Sequence, residues 1–124
     1  MNWLILLVDD DPLILKSIRG ALRPLEQTGT QIWSCHSAKE AIQILEESPI
    51  DLIISDENMG EMKGTELLSW VSGHSPETRR IILTGDHSLS PLIDSHSPAG
   101  VDAYLTKPFK NQDVLSIVVW LMTN

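Results

Sequence analysis

Four segments of this chain are apolar almost throughout and only five or six residues long: "WLILLV" (3–8), "DLIIS" (51–55), "RRIILT" (79–84) and "DAYLT" (102–106). They lack the polar alternation of a half-wet strand, so runs of this length suit strands covered on both faces, in a parallel sheet between helices. A fifth run, "TQIWSC" (30–35), is a weaker version. Amphipathic stretches lie between them. "PLILKSIRGALRPLEQ" (12–27) puts Leu15, Ile18, Leu22 and Leu25 on one helical face. "SAKEAIQILEES" (37–48) opens with a capping box, Ser37 and Glu40, and turns Ala41, Ile42 and Leu45 inward. "GTELLSWVSG" (64–73) and "NQDVLSIVVWLMT" (111–123) supply two further helices. Strand and helix alternate five times, which predicts an α/β, doubly wound (βα)5 three-layer sandwich on a five-stranded parallel sheet.

The fourth helix must be short. "DHSLSPLIDSHSPAG" (86–100) contains Pro91 and Pro98, and a helix interior tolerates neither. Ser90 as N-cap with Pro91 in the first position leaves roughly two turns before Pro98.

The whole chain, 1–124, is the size of one domain. Its net charge of −8 argues against gripping nucleic acid by itself. The longest apolar run, Trp3 to Val8, is too short to span a bilayer, so no membrane contact is expected. One cysteine, Cys35, forms no internal disulfide; it reads as a small buried hydrophobe and fits a cytoplasmic location.

Ligands of open parallel sheets sit beyond the carboxyl ends of the strands. Those ends carry Asp9 and Asp10 after the first strand, Asp56 after the third, Thr84 after the fourth and Lys107 after the fifth. Carboxylates crowded on one rim invite a hard divalent cation, Mg²⁺ or Mn²⁺. With a lysine and a hydroxyl nearby, such a rim can stabilise a phosphoryl group in transfer, which makes Asp56 a candidate nucleophile. Asp11 precedes Pro12 where an N-cap belongs, and is expected to cap the first helix.

At these residues the chain resembles a known family. "ILLVDDDPLIL", "DLIISDENMGEMKG", "IILTG" and "AYLTKPF" look like the signature blocks of response-regulator receiver domains of two-component signalling, in the family's order and over essentially the whole chain. The resemblance implies a flavodoxin-like strand order 2-1-3-4-5. It implies that Asp56 accepts a phosphoryl group from a histidine kinase or phosphotransfer protein. It further implies that Asp9, Asp10, Asp56 and the backbone carbonyl of Asn58 hold Mg²⁺, and that Lys107 pairs first with Asp56 and then with the phosphoryl oxygens. Thr84 and the aromatic Tyr104 would move together as a switch. Such a domain catalyses its own phosphorylation and slow dephosphorylation only. The Lys107–Pro108 bond is expected to be cis by the same resemblance. Gly60 stands where the family usually has proline, so a looser loop is expected after Asp56.

On the last helix, Val114, Ile117, Val118 and Leu121 form the expected core face, leaving Leu115, Val119 and Trp120 pointing elsewhere. A helix apolar nearly all round suggests a second covered face, here a homodimer or output-domain contact through Val119 and Trp120. Trp3, Trp33 and Trp70 read as packing residues, and His36, His74, His87 and His96 lack metal-ligand spacing. Two alternatives stay open. Asp9-x-Asp11, Thr84 and Lys107 also fit a haloacid-dehalogenase-type phosphohydrolase, although only Asp113 follows as a second acid. The other alternative is an unphosphorylated interaction scaffold. The chain is expected to be either a stand-alone receiver or the N-terminal domain of a larger regulator.

Overall fold

The computed structural model describes residues 2–85 and 100–124. Among them the strands are β1 (Leu4–Val8), β2 (Gln31–Cys35), β3 (Leu52–Asp56), β4 (Arg79–Thr84) and β5 (Ala103–Thr106). All pair in parallel, in the order β2-β1-β3-β4-β5. The helices are α1 (Pro12–Ala21), α2 (Arg23–Glu26), α3 (Ala38–Glu47), α4 (Gly64–His74) and α5 (Asn111–Thr123). The short helix expected between Ser90 and Pro98 lies outside the described residues.

Side chains of a strand alternate between faces, and here both faces are dry. Ile5, Leu7, Ile54, Ile81 and Leu83 pack with α1, α2 and α5; Leu6, Val8, Ile53, Ile82 and Tyr104 pack with α3 and α4. This double cover explains the near-continuous apolar runs. The edge strand β2 is the exception, with Gln31, Trp33 and Ser34 exposed, which is why its run is weakest. Trp33 is therefore not a core packing residue: it is 37% exposed, because an edge strand has cover on fewer sides. Trp3 and Trp70 do pack, each partly buried against one of the two cores.

The stretch read as one helix over 12–27 is broken. Pro24 has no N–H to give and sits in the first turn of α2, so α1 stops at Ala21. Leu22 bridges the two, its N–H donating to Ile18 and its carbonyl accepting from Leu25. Leu15, Ile18, Leu22 and Leu25 are nonetheless all buried together.

On α5, Val114, Val118 and Leu121 are buried as expected. Ile117, Leu115, Val119 and Met122 are partly buried against the same core, so Leu115 and Val119 do not stand clear of it. Flanking residues reach the core because α5 packs against α1 as well as the sheet. Trp120 alone of the three is exposed, at 48%.

Candidate functional site

The carboxyl ends of β1 and β3 bring three carboxylates together. Asp9, Asp10 and Asp56 each offer an oxygen, all within 4.8 Å of one another. Asp9 and Asp56 are buried, whereas Asp10 is exposed at the rim. Thr84 is buried at the end of β4, one strand over from Asp56. Lys107 follows β5, and its backbone N–H donates to the Thr84 carbonyl at 2.7 Å, which ties the two strand ends together. Its Nζ then reaches back to Asp56 Oδ1 at 2.7 Å and lies 3.9 Å from Asp9 Oδ2. The Lys107–Pro108 peptide is cis, as expected.

Asp11 caps α1: its Oδ1 accepts from the Leu13 N–H at 2.9 Å. The Asp11 N–H in turn donates to Asp9 Oδ1, also at 2.9 Å, which orients the Asp9 carboxylate. Of the three consecutive aspartates, Asp11 caps the helix, whereas Asp9 and Asp10 gather beside Asp56. This arrangement does not build the Asp9-x-Asp11 pair that a dehalogenase-type hydrolase would use.

The Asp9 carboxyl is raised from 3.8 to about 6. Burial is the main cause; the Asp11 N–H opposes it, Asp56 adds to it, Lys107 opposes it and Asp10 adds to it. Asp9 Oδ2 is buried with no hydrogen-bond partner among the described residues, and the Lys107 ammonium is too distant to supply one. A buried carboxylate oxygen without a partner, facing two further carboxylates, fits a small hard cation such as Mg²⁺ or Mn²⁺.

Of the remaining residues singled out from sequence, Asn58 is exposed in the loop after Asp56, and Tyr104 is buried on the α3/α4 face of β5. Cys35 is buried, and burial pushes its thiol up to about 11, as suits an inert core residue. His74 stacks on Trp70, with its Nδ1 2.9 Å from the Trp70 carbonyl. Ser37 caps α3 by accepting from the Glu40 N–H at 3.2 Å, but the Glu40 carboxylate accepts from the Ser37 hydroxyl and so completes only half of the expected box.

Sequence reasoning missed Glu57 and Gly64. Gly64 opens α4 against the Asp56 carbonyl, and a Cβ there would fall on that oxygen and within 2.6 Å of Ile82 Cδ1. The "KG" before "TELL" signals a helix start but says nothing of this contact. No helix of the described residues is long and apolar enough to cross a membrane.

A family profile described as "Response regulator receiver domain" matches residues 5–119. The transcriptional regulatory protein GlrR of Escherichia coli K12 is 36% identical over 104 residues, 84% of this chain but 22% of that protein. The chain thus spans about a fifth of that relative's length. Two solved structures share the fold closely. The signal receiver domain of an HD domain-containing protein from Pseudomonas fluorescens Pf-5 has a TM-score of 0.83 at 29% identity, covering 98% of this chain and 88% of that one. A CheY-like response regulator receiver domain protein from Methanospirillum hungatei JF-1 has a TM-score of 0.81 at 29% identity, covering 99% and 95%. With the profile spanning nearly every element of the sheet, this chain belongs to the response regulator receiver domain family.

Proposed function

We propose that residues 1–124 act as one phosphoacceptor domain in which Asp56 takes a phosphoryl group from the phosphohistidine of a histidine kinase or phosphotransfer protein. The observation that carries this reading is the placement of Asp56: a buried carboxylate with Lys107 Nζ at 2.7 Å and two further acids beside it.

A carboxylate oxygen of Asp56 attacks the phosphorus as the phosphorus–nitrogen bond to the imidazole breaks, and the imidazole leaves with the bonding electron pair. Lys107 holds the carboxylate in place beforehand and neutralises phosphoryl oxygens afterwards. Asp9 and Asp10, with Asp56 and the Asn58 carbonyl, would hold Mg²⁺ or Mn²⁺, which supplies positive charge opposite the phosphoryl oxygens when bound. The buried walls around Asp9 and Asp56 lower the local dielectric, so each of these charges acts more strongly than in water.

Phosphorylation adds ~ −1.5 to −2 charge at Asp56. Thr84 at the adjacent strand end and Tyr104 on β5 form the relay by which that charge biases a two-state equilibrium. The surface reading it out includes Trp120, which with Ile117, Phe109 and Tyr104 lines a groove of about 460 Å³ along β5 and α5. Its occupant is an output domain or a second copy, and the setting is the cytoplasm.

Incubation with acetyl phosphate tests the reading. In Mg²⁺ the intact mass should rise by one phosphoryl group, and chelation by EDTA should prevent it. A protein that stays unlabelled in Mg²⁺ would instead favour an unphosphorylated scaffold.

A further inference from the structure

The loop over 57–63 hangs from Asp56 and returns the chain to α4, and one residue closes both of its ends. The Glu57 N–H donates to the Leu83 carbonyl at 3.0 Å, and the Glu57 carbonyl accepts from the Gly64 N–H at 3.0 Å. Its side-chain Oε1 accepts twice more, from the Thr65 N–H and the Thr65 hydroxyl, each at 3.0 Å. The carboxylate therefore satisfies an N–H in the first turn of α4. Both partners are half-buried, which limits competition from water.

Elsewhere the loop is held by Met59, which is buried in the α3/α4-side core, and by the Lys63 N–H, which donates to Glu66 Oε1 at 3.1 Å. Gly60 at its middle adopts φ +49, a conformation that a proline in that place would forbid. On the inner side the anchoring is firm: the Ser55 hydroxyl donates to the Asp56 carbonyl at 3.0 Å, and Gly64 lies directly against the same carbonyl. The loop is thus fastened at one end to the β3–β4 pair and at the other to α4, with the Glu57 carboxylate joining the two.

We propose that Glu57 and Thr65 are positioning residues for the acid pocket. Their clasp holds the backbone of loop 57–63 at the pocket's mouth before a divalent cation arrives, so that binding does not have to order it. The proposal deepens the reading of Asp9, Asp10 and Asp56 as a metal site and rests on it. What acts is the paired acceptor geometry of the Glu57 side chain, not its charge.

Calorimetric titration of the full chain with Mg²⁺ tests this, together with amide hydrogen exchange at Gly64 and Thr65 in the metal-free protein. Glu57→Ala should bind Mg²⁺ roughly tenfold more weakly, the usual scale for removing a group that orients metal ligands, and its Thr65 amide should exchange faster. Glu57→Gln keeps an oxygen acceptor and should recover most of the affinity. Thr65→Val, which keeps the N–H but loses the hydroxyl, should fall between. Unchanged affinity in both Glu57→Ala and Thr65→Val would overturn the clasp. Glu57→Gln binding as weakly as Glu57→Ala would also overturn it, because charge would then be the cause. If the unaltered protein itself takes up no Mg²⁺, the metal-site reading falls and the proposal falls with it.

Discussion

Lys107 Nζ lies 2.7 Å from Asp56 Oδ1, a contact joining two strand ends 51 positions apart in the chain. The same ammonium faces Asp9 at 3.9 Å, so one cation offsets two buried carboxylates. Lys107→Met should destabilise the metal-free protein by about 1–2 kcal/mol, the scale of a charge-assisted hydrogen bond at a partly exposed site. It should also tighten Mg²⁺ binding severalfold, because a competing positive charge is gone. Urea unfolding and calorimetry check the two signs separately, and weaker Mg²⁺ binding in the variant would contradict the account.

Asp9 makes stability depend on pH. Its carboxyl titrates near 6 in the fold against 3.8 for the ordinary group, mainly through burial. A raised value means that the folded state favours the protonated form. The stabilisation is complete below 3.8 and is lost as pH rises through about 6. Metal-free Asp9→Asn should therefore be more stable than the unaltered protein by roughly 1–3 kcal/mol near neutral pH. The difference should vanish at about pH 4. Urea unfolding at the two pH values decides it; a variant equally stable or weaker at neutral pH would refute the assignment.

Gly64→Ala should be costly because its new Cβ meets the Asp56 backbone as well as Ile82 Cδ1, and the backbone cannot move aside cheaply. Overpacking against backbone predicts a loss of about 1–3 kcal/mol. Gly73, with open space around its Cβ position, is the control: Gly73→Ala should be neutral or stabilising. Thermal unfolding of the two variants compares them directly.

Trp120 is 48% exposed beside the β5–α5 groove. Trp120→Ala should weaken self-association or output-domain docking while leaving phosphorylation of Asp56 intact. Analytical ultracentrifugation with and without a phosphoryl mimic measures this. A protein monomeric at high concentration in both states would remove the self-association arm.

Much of this was legible in the sequence, for physical reasons that also mark where legibility ended. Strands β1, β3 and β4 announce themselves because helices cover both faces, whereas β2 is muted by the exposure of Gln31 and Trp33 at the sheet edge. The break at Pro24 was hidden because Leu22 and Leu25 continue the apolar stripe across it. Asp9, Asp56 and Lys107 were readable because parallel strands deliver their carboxyl ends to one rim. The Glu57–Thr65 pair was not, because the two lie eight positions apart across a loop that carries no periodicity to bring their side chains together. Leu115 and Val119 were misplaced because helical spacing fixes direction but not which neighbouring elements pack against the flanks, here α1 as well as the sheet.

The central claim is that Asp56 itself becomes phosphorylated. Borohydride reduces an aspartyl-phosphate to homoserine, so trapping after acetyl phosphate treatment, followed by peptide mapping, locates the modified residue. The account predicts homoserine at position 56 in Mg²⁺, none in EDTA, and none anywhere in Asp56→Asn. Homoserine at another aspartate in the unaltered protein, or labelling undiminished in Asp56→Asn, would contradict it.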